Sequence, residues 1–202
     1  MKAGRRIGYF GGTFDPPHLG HLIIALEAYH QLNLDRLDWI LTPDPPHKTN
    51  RQITPVAFRL EMLQIIINKR PEFFLNMIDI DRDPPHYAAE TVELIKDDFP
   101  DDELIYLIGE DSLKDLPGWY ASERFITAVD FLAIAPRPGI STNLMEIDSV
   151  LPGLAGKTVF LRNAQIEIAS SIIRDRIIKA EPFEHFLPND ISKYLKSNPL
   201  YK

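Results

Sequence analysis

An α/β fold built on a doubly wound parallel sheet is what this 202-residue sequence predicts, and three observations carry the prediction. Short β-rich runs alternate along the chain with stretches of helical spacing, the order that makes βαβ units and a parallel sheet. The length suits a single domain of ~100–200 residues. With hydrophobic residues at 45% and charged residues at 25%, the composition is the ordinary globular mix, which excludes disorder and fibrous repeats.

The elements follow in order. Arg6–Phe10 reads as a buried strand before a Gly-Gly turn. His18 to Gln31 carries Leu19, Leu22, Ile23, Leu26 and Tyr29 at helical spacing. Leu37–Leu41 is a second strand, followed by a proline-rich loop over Pro43–Lys48. Pro55 to Asn68 is a second helix, Phe73–Ile80 a third strand and Tyr87 to Lys96 a third helix. Glu103–Ile108, Asp130–Ala135 and Thr158–Leu161 complete the strands. Pro136 to Gly156, rich in proline and glycine, reads as a variable loop. Ser171–Ala180 and Asn189–Leu195 form a small helical C-terminal piece, from about residue 165, on what is otherwise one domain over 1–202.

Several classes of function are excluded at once. There is no cysteine, so disulfides, thiolate metal sites, Fe–S clusters and a cysteine nucleophile are impossible. A net charge of −7 argues against a surface for nucleic acid, which needs a basic face. No apolar run approaches the ~18 residues of a membrane span, and the N-terminus lacks the features of a signal peptide. The expectation is a cytoplasmic protein of small-molecule substrates, monomeric or homodimeric, without membrane or nucleic-acid partners.

In an open α/β sheet, ligands bind at the carboxyl ends of the strands. The first such junction is Gly11-Gly12-Thr13-Phe14-Asp15-Pro16-Pro17-His18-Leu19-Gly20-His21. Gly11 and Gly12 allow close backbone approach and positive φ. Asp15 before two prolines suits an N-cap region. His18 and His21, three apart, share one face of a first helical turn, where a helix N-terminus favours phosphate. Gly20 inside a helix costs ~1 kcal/mol relative to alanine, which implies a close neighbour such as a nucleotide ring or another backbone.

That string resembles the HxGH signature of nucleotidylyltransferases, and its longer form GGTFDPxHxGH is similar to the bacterial nicotinate-nucleotide adenylyltransferases. Pro45-Pro46-His47-Lys48 resembles the PPHK loop of that family, and Ile108-Gly109-Glu110-Asp111-Ser112-Leu113 its IGxDsL segment. Trp119 matches a following tryptophan, Arg137-Pro138-Gly139 an RPG, and Ile168 through Arg174 an ISSTxIR motif. The resemblance runs from Ile7 to about Tyr194, with two departures. Ala169 and Ser171 stand for the first Ser and the Thr of the last motif, and His86 and Ala88 stand for Ser and Thr in a segment that helps line the family's pyridine pocket.

The resemblance implies a Rossmann-like fold and a reaction: the phosphate of nicotinate mononucleotide attacks the α-phosphorus of ATP, giving a dinucleotide and pyrophosphate. It implies His18, His21, Lys48 and Arg174 as catalytic residues. Gly11, Gly12, Thr13, Phe14, Gly20, Gly109, Asp111, Ser170 and Ser171 would hold ATP. Trp119, Tyr87, Ala88, Tyr120 and His47 would meet the pyridine nucleotide. Mg²⁺ would arrive on the phosphates, with no protein metal site.

Read without the motif, Lys48 is an exposed lysine, Arg174 part of a salt-bridged face, Trp119 a core anchor and Asp111 a helix cap. Gly153 to Thr158 imitates a Walker A loop but lacks its first glycine and enters a strand. Asp79, Asp81 and Asp83 read as solvated strand-end carboxylates. Two other readings stay open: transfer to nicotinamide mononucleotide or a pantetheine phosphate, and a nucleotide-binding module without turnover.

Overall fold

The structure is a computed structural model and describes residues 4–45, 53–164 and 166–201. Its centre is a parallel six-stranded sheet in the order β3-β2-β1-β4-β5-β6. The strands are β1 (Arg6–Gly12), β2 (Arg36–Leu41), β3 (Phe73–Asn76), β4 (Glu103–Gly109), β5 (Phe131–Ala135) and β6 (Thr158–Phe160). This is the expected Rossmann-like topology, in which the chain winds outward from β1 to β3 and then restarts beside β1 with β4.

Strand residues alternate between two apolar layers, as a period of two requires. Ile7 and Tyr9 of β1 join one cluster and Phe10 the other. Leu104, Tyr106 and Ile108 of β4 oppose Ile105 and Leu107 in the same way. One layer is closed by α1 (Leu19–Gln31), α2 (Val56–Ile67), α8 (Ser170–Ile178) and α9 (Asn189–Ser197). The other is closed by α3 (Ala88–Asp98), α4 (Glu110–Asp115), α5 (Ser122–Ala128), α6 (Leu144–Val150) and α7 (Leu154–Lys157). Each fully buried large side chain, such as Trp39 or Leu63, stabilises this arrangement by ~1.5–3 kcal/mol. The C-terminal helices share their layer with α1 and α2: Ile173, Ile191 and Leu195 sit in one cluster with Ala25 and Met62.

Four details depart from expectation. The third strand stops at Asn76, not Ile80, because the Asn76 side chain accepts the Ile78 amide at 3.0 Å and starts a turn. The fully buried residues of α1 are Ala25 and Ala28 rather than its leucines, since a small side chain lets the helix lie close to the sheet. The span 136–156 is not all loop: it holds α6 and the start of α7, and its Ile147, Leu151 and Leu154 are buried. The short α5 was hidden by its seven-residue length. Its C-terminal carbonyls are capped by Lys157, whose Nζ donates to Ile126, Thr127 and Val129. The lysine of the imitation phosphate loop is thus fully engaged elsewhere. No helix among the described residues is long and apolar enough to cross a membrane.

Candidate active site

β1 and β4 are neighbours from which the chain departs in opposite directions, and a cleft of about 1100 Å³ opens beyond their carboxyl ends. Its wall includes Gly11, Gly12, Thr13, Phe14, His18 and His21 from the first junction. Gly109 and Asp111 follow β4, and Ser170, Ser171 and Arg174 come from α8. Tyr87, Ala88, Trp119 and Tyr120 line it as well. His47 and Lys48 lie outside the described residues.

The histidine pair is fixed by backbone geometry. α1 begins at Leu19, so the N-cap is His18 and not Asp15. The Nδ1 atom of His18 accepts the His21 amide at 3.3 Å, and Nδ1 of His21 accepts the His18 amide at 3.2 Å. This reciprocal capping box consumes one lone pair on each ring. A neutral imidazole that accepts through Nδ1 must carry its hydrogen on Nε2, so both histidines are held as Nε2–H donors. The rings stack at 3.6 Å with planes 20° apart. Stacking of two imidazolium ions would be repulsive, and His18 is only 4% exposed. Burial, together with the Arg137 charge, pushes its pKa down to about 3. Near neutral pH His18 is therefore an uncharged hydrogen-bond donor.

Gly20 has a different neighbour from the one expected. A Cβ there would stand 3.0 Å from Nδ1 of His18, so the glycine makes room for the histidine ring rather than for a nucleotide. Gly11 and Gly12 close β1 as strand residues, and the left-handed residue of the junction is Phe14, at φ 47°. Its ring makes edge or tilted contacts with Phe10, His21 and Trp39, which hold a conformation costing ~1 kcal/mol or more. A Cβ on Gly12 would strike the Phe14 ring at 2.8 Å.

Around this junction stands a set of residues that the sequence reading missed. Arg59 is fully buried on α2. It donates to the carbonyls of Thr13 at 3.1 Å, Thr42 at 2.8 Å, Pro43 at 2.7 Å and Thr54 at 2.7 Å. The loops after β1 and β2 are thereby tied together. A signal was present, because Arg59 lies three and four residues before Met62 and Leu63 on the apolar face of its helix. On α8, the Ser170 hydroxyl donates to the Pro16 carbonyl at 2.9 Å, and Arg174 Nη1 to the Asp15 carbonyl. Arg174 is thus held against the phosphate-loop candidate rather than on a solvated, salt-bridged surface. α8 starts at an Ala169 N-cap with no side-chain acceptor, which leaves its first amides uncapped beside the cleft.

Beyond β4, Arg137 pairs with Asp111 at 3.1 Å. The loop that carries Arg137 is fastened by buried Glu110, which accepts the Thr142 amide at 3.0 Å. Asp111 is therefore more than a helix cap. At the other end, Tyr87 and Tyr120 stack at 4.1 Å. Trp119 packs edge-on against Phe125 at 5.5 Å while lining the cleft, combining the anchor and the binding roles. Tyr87 caps α3 without a side-chain bond, so first-turn amides near Ala88 are donors. Asp79 is not a solvated carboxylate. It is 4% exposed and accepts Thr91 Oγ1 at 2.7 Å and Arg82 Nε at 3.1 Å. His86, in the loop before α3, is buried and lines the cleft. Among the described residues no cluster of three His, Asp or Glu side chains is placed to hold a metal ion.

Comparison with known proteins bears on the family and the fold. The cytidylyltransferase-like family model matches residues 9–176. A nicotinate-nucleotide adenylyltransferase of Bacillus subtilis is 35% identical over 98% of this chain and 99% of its own. A probable nicotinate-nucleotide adenylyltransferase of Thermomicrobium roseum is 38% identical over 98% and 92%. The nicotinic acid mononucleotide adenylyltransferase of Plasmodium falciparum, solved with NaAD, superposes with a TM-score of 0.79 over 98% of this chain and 97% of its own. At 19% identity, that match speaks to the fold alone.

Proposed function

The chain belongs to the cytidylyltransferase-like family, and from that premise we propose that it joins nicotinate mononucleotide to the adenylyl group of ATP, releasing pyrophosphate and forming nicotinate adenine dinucleotide. The observation that carries the proposal is the stacked histidine pair, held as two Nε2–H donors on the wall of a cleft of about 1100 Å³. Relatives over nearly the full length carry the same activity in their names.

The attacking phosphate monoester has a second pKa of ~6 and is mostly ionised at neutral pH, so no strong base is required. What the protein supplies is position and charge stabilisation. His18 and His21 donate to the phosphate oxygens as negative charge shifts toward the leaving pyrophosphate. Neutral donors suit this role, because they stabilise the transition state without a proton having to move. Arg174 adds a fixed guanidinium, and the first turn of α8 with Ser170 and Ser171 adds amides and hydroxyls. Lys48 is assigned the same duty as Arg174. The turn Gly11 to Phe14, with Gly20 behind it, shapes the phosphate cradle, while Gly109 and Asp111 take the ribose or adenine. Magnesium enters as part of the ATP complex, keeping most of its water.

Trp119, Tyr87 and Tyr120 offer the aromatic surface for the pyridine ring, with Ala88 at its edge, and His47 is assigned to the same substrate. A nicotinate carboxylate is met by N–H donors at the start of α3, while the two acids beside them, Asp79 and Glu90, are both paired with Arg82. That pattern favours nicotinate over nicotinamide. The whole chain, 1–202, is read as one nucleotidylyltransferase domain.

The test is pyrophosphate release from ATP and Mg²⁺ with nicotinate or nicotinamide mononucleotide. Turnover with the nicotinate form, and a clear preference for it, is expected. No release with any pyridine nucleotide refutes the activity, and equal rates refute the preference. His21→Ala should lower kcat by about 100-fold or more at a cost of about 1–2 kcal/mol in stability for the lost cap and ring contacts, and a normal rate in the folded variant would remove His21 from the mechanism.

A further inference from the structure

Asp15 is a junction that the chemistry above leaves unused. It is 5% exposed. Its Oδ1 accepts the hydroxyl of Tyr201 at 2.8 Å, and its Oδ2 accepts the Thr54 amide at 3.4 Å and faces Nη1 of Arg174 at 3.9 Å. One carboxylate thereby joins the loop after β1, the approach to α2, α8 and Tyr201. Tyr201 itself is 8% exposed and packed in the same apolar cluster as Phe14 and Ile173. Burial and the Asp15 charge raise the pKa of its phenol, so the group stays protonated and donates.

The carboxylate has two oxygens and must serve a hydroxyl, an amide and a guanidinium. With Oδ1 occupied by Tyr201, Oδ2 is turned toward Thr54 and Arg174. Nη1 of Arg174 is further held by the Asp15 carbonyl, so the orientation of its planar fork follows that of Asp15. Removing the hydroxyl frees Oδ1, and the carboxylate then turns to find another donor.

We infer that Tyr201 is a positioning residue for adenylyl transfer: its hydroxyl fixes the Asp15 carboxylate, and the carboxylate sets where the Arg174 guanidinium meets the triphosphate. This rests on the phosphate role proposed above for Arg174, and it adds a residue outside every motif of the first and last junctions. A tyrosine of merely structural importance would alter stability and leave the kinetics of folded enzyme untouched.

The test is Tyr201→Phe, which keeps the ring in the core and removes one oxygen. kcat/KM for ATP is expected to fall about five- to tenfold, the size of one buried hydrogen bond. KM for the pyridine mononucleotide should stay within about twofold. In an Arg174→Lys background the same change should have no further effect, because residues acting as a unit are not additive. Unchanged ATP kinetics, or losses that multiply in the double variant, overturn the inference. If Tyr201→Phe does not fold, Asp15→Asn gives the same reading. A fall confined to the ATP parameters supports the inference, and unaltered ATP parameters overturn it. Wild-type enzyme runs beside each variant, so absence of any pyrophosphate release there marks failure of the proposed function and not of the positioning role.

Discussion

Acidification should destabilise this protein through His18 in a measurable and removable way. An unfolded histidine titrates near 6.5, whereas burial holds His18 at about 3 in the folded chain. Between these values the unfolded state binds more protons than the native state, so stability is fully present above about pH 6.5 and falls as pH drops toward 3. Each pH unit inside that window removes about 1.4 kcal/mol. Across the whole window the loss is therefore about 4–5 kcal/mol, a large share of the ~5–15 kcal/mol that holds an ordinary domain together. The control is His18→Asn. Asparagine is a good N-cap and can accept the His21 amide, but it does not titrate. Urea unfolding from pH 7.5 to 4.5 should show the wild type losing more stability than the variant, the gap opening below about pH 6.5. Parallel profiles, or an NMR titration of His18 near its unfolded value, would refute the argument that burial keeps this ring neutral.

Arg59→Met should reduce stability by about 3–5 kcal/mol, because four carbonyls lose their shared partner and little hydrophobic gain offsets them. A thermal melt within a degree or two of wild type would show that those loops do not need the clamp. Gly20→Ala sets two effects against each other. The helix gains up to ~1 kcal/mol in propensity, while the new methyl presses on the His18 ring at 3.0 Å. Stability should change little and kcat should fall by about tenfold or more; a full rate would mean that the ring position is not critical.

The fold was legible because its strands and longer helices announce themselves by period. Arg6–Phe10 and Glu103–Ile108 are near-continuous apolar runs in the sequence, as strands covered on both faces require. The parts that escaped are short or depend on distant partners. Ile147, Leu151 and Leu154 have helical spacing, but Pro152 and Gly153 interrupt it, and the segment reads as loop until the sheet beneath it is seen. The cleft-lining residues of the Gly-Gly, His-x-Gly-His and Ser-Ser-x-x-Arg strings were legible as candidates because each string is local in the sequence. Asp15, Arg59, Glu110 and Tyr201 were not, since each works through a partner 27 or more residues away, or through several segments at once. No spacing rule exposes a residue whose function exists only after folding.

The strand that carries the histidine junction lies in the interior of the sheet, paired with β2 over Ile7–Gly12 on one side and with β4 over Arg6–Phe10 on the other. Amide hydrogen exchange should consequently be slowest there, with the outermost strands β3 and β6 trading their protons first. Warming or mild denaturant would loosen the rims while the cleft-facing end of β1 keeps its shape. Inactivation, when it comes, should coincide with global unfolding rather than precede it.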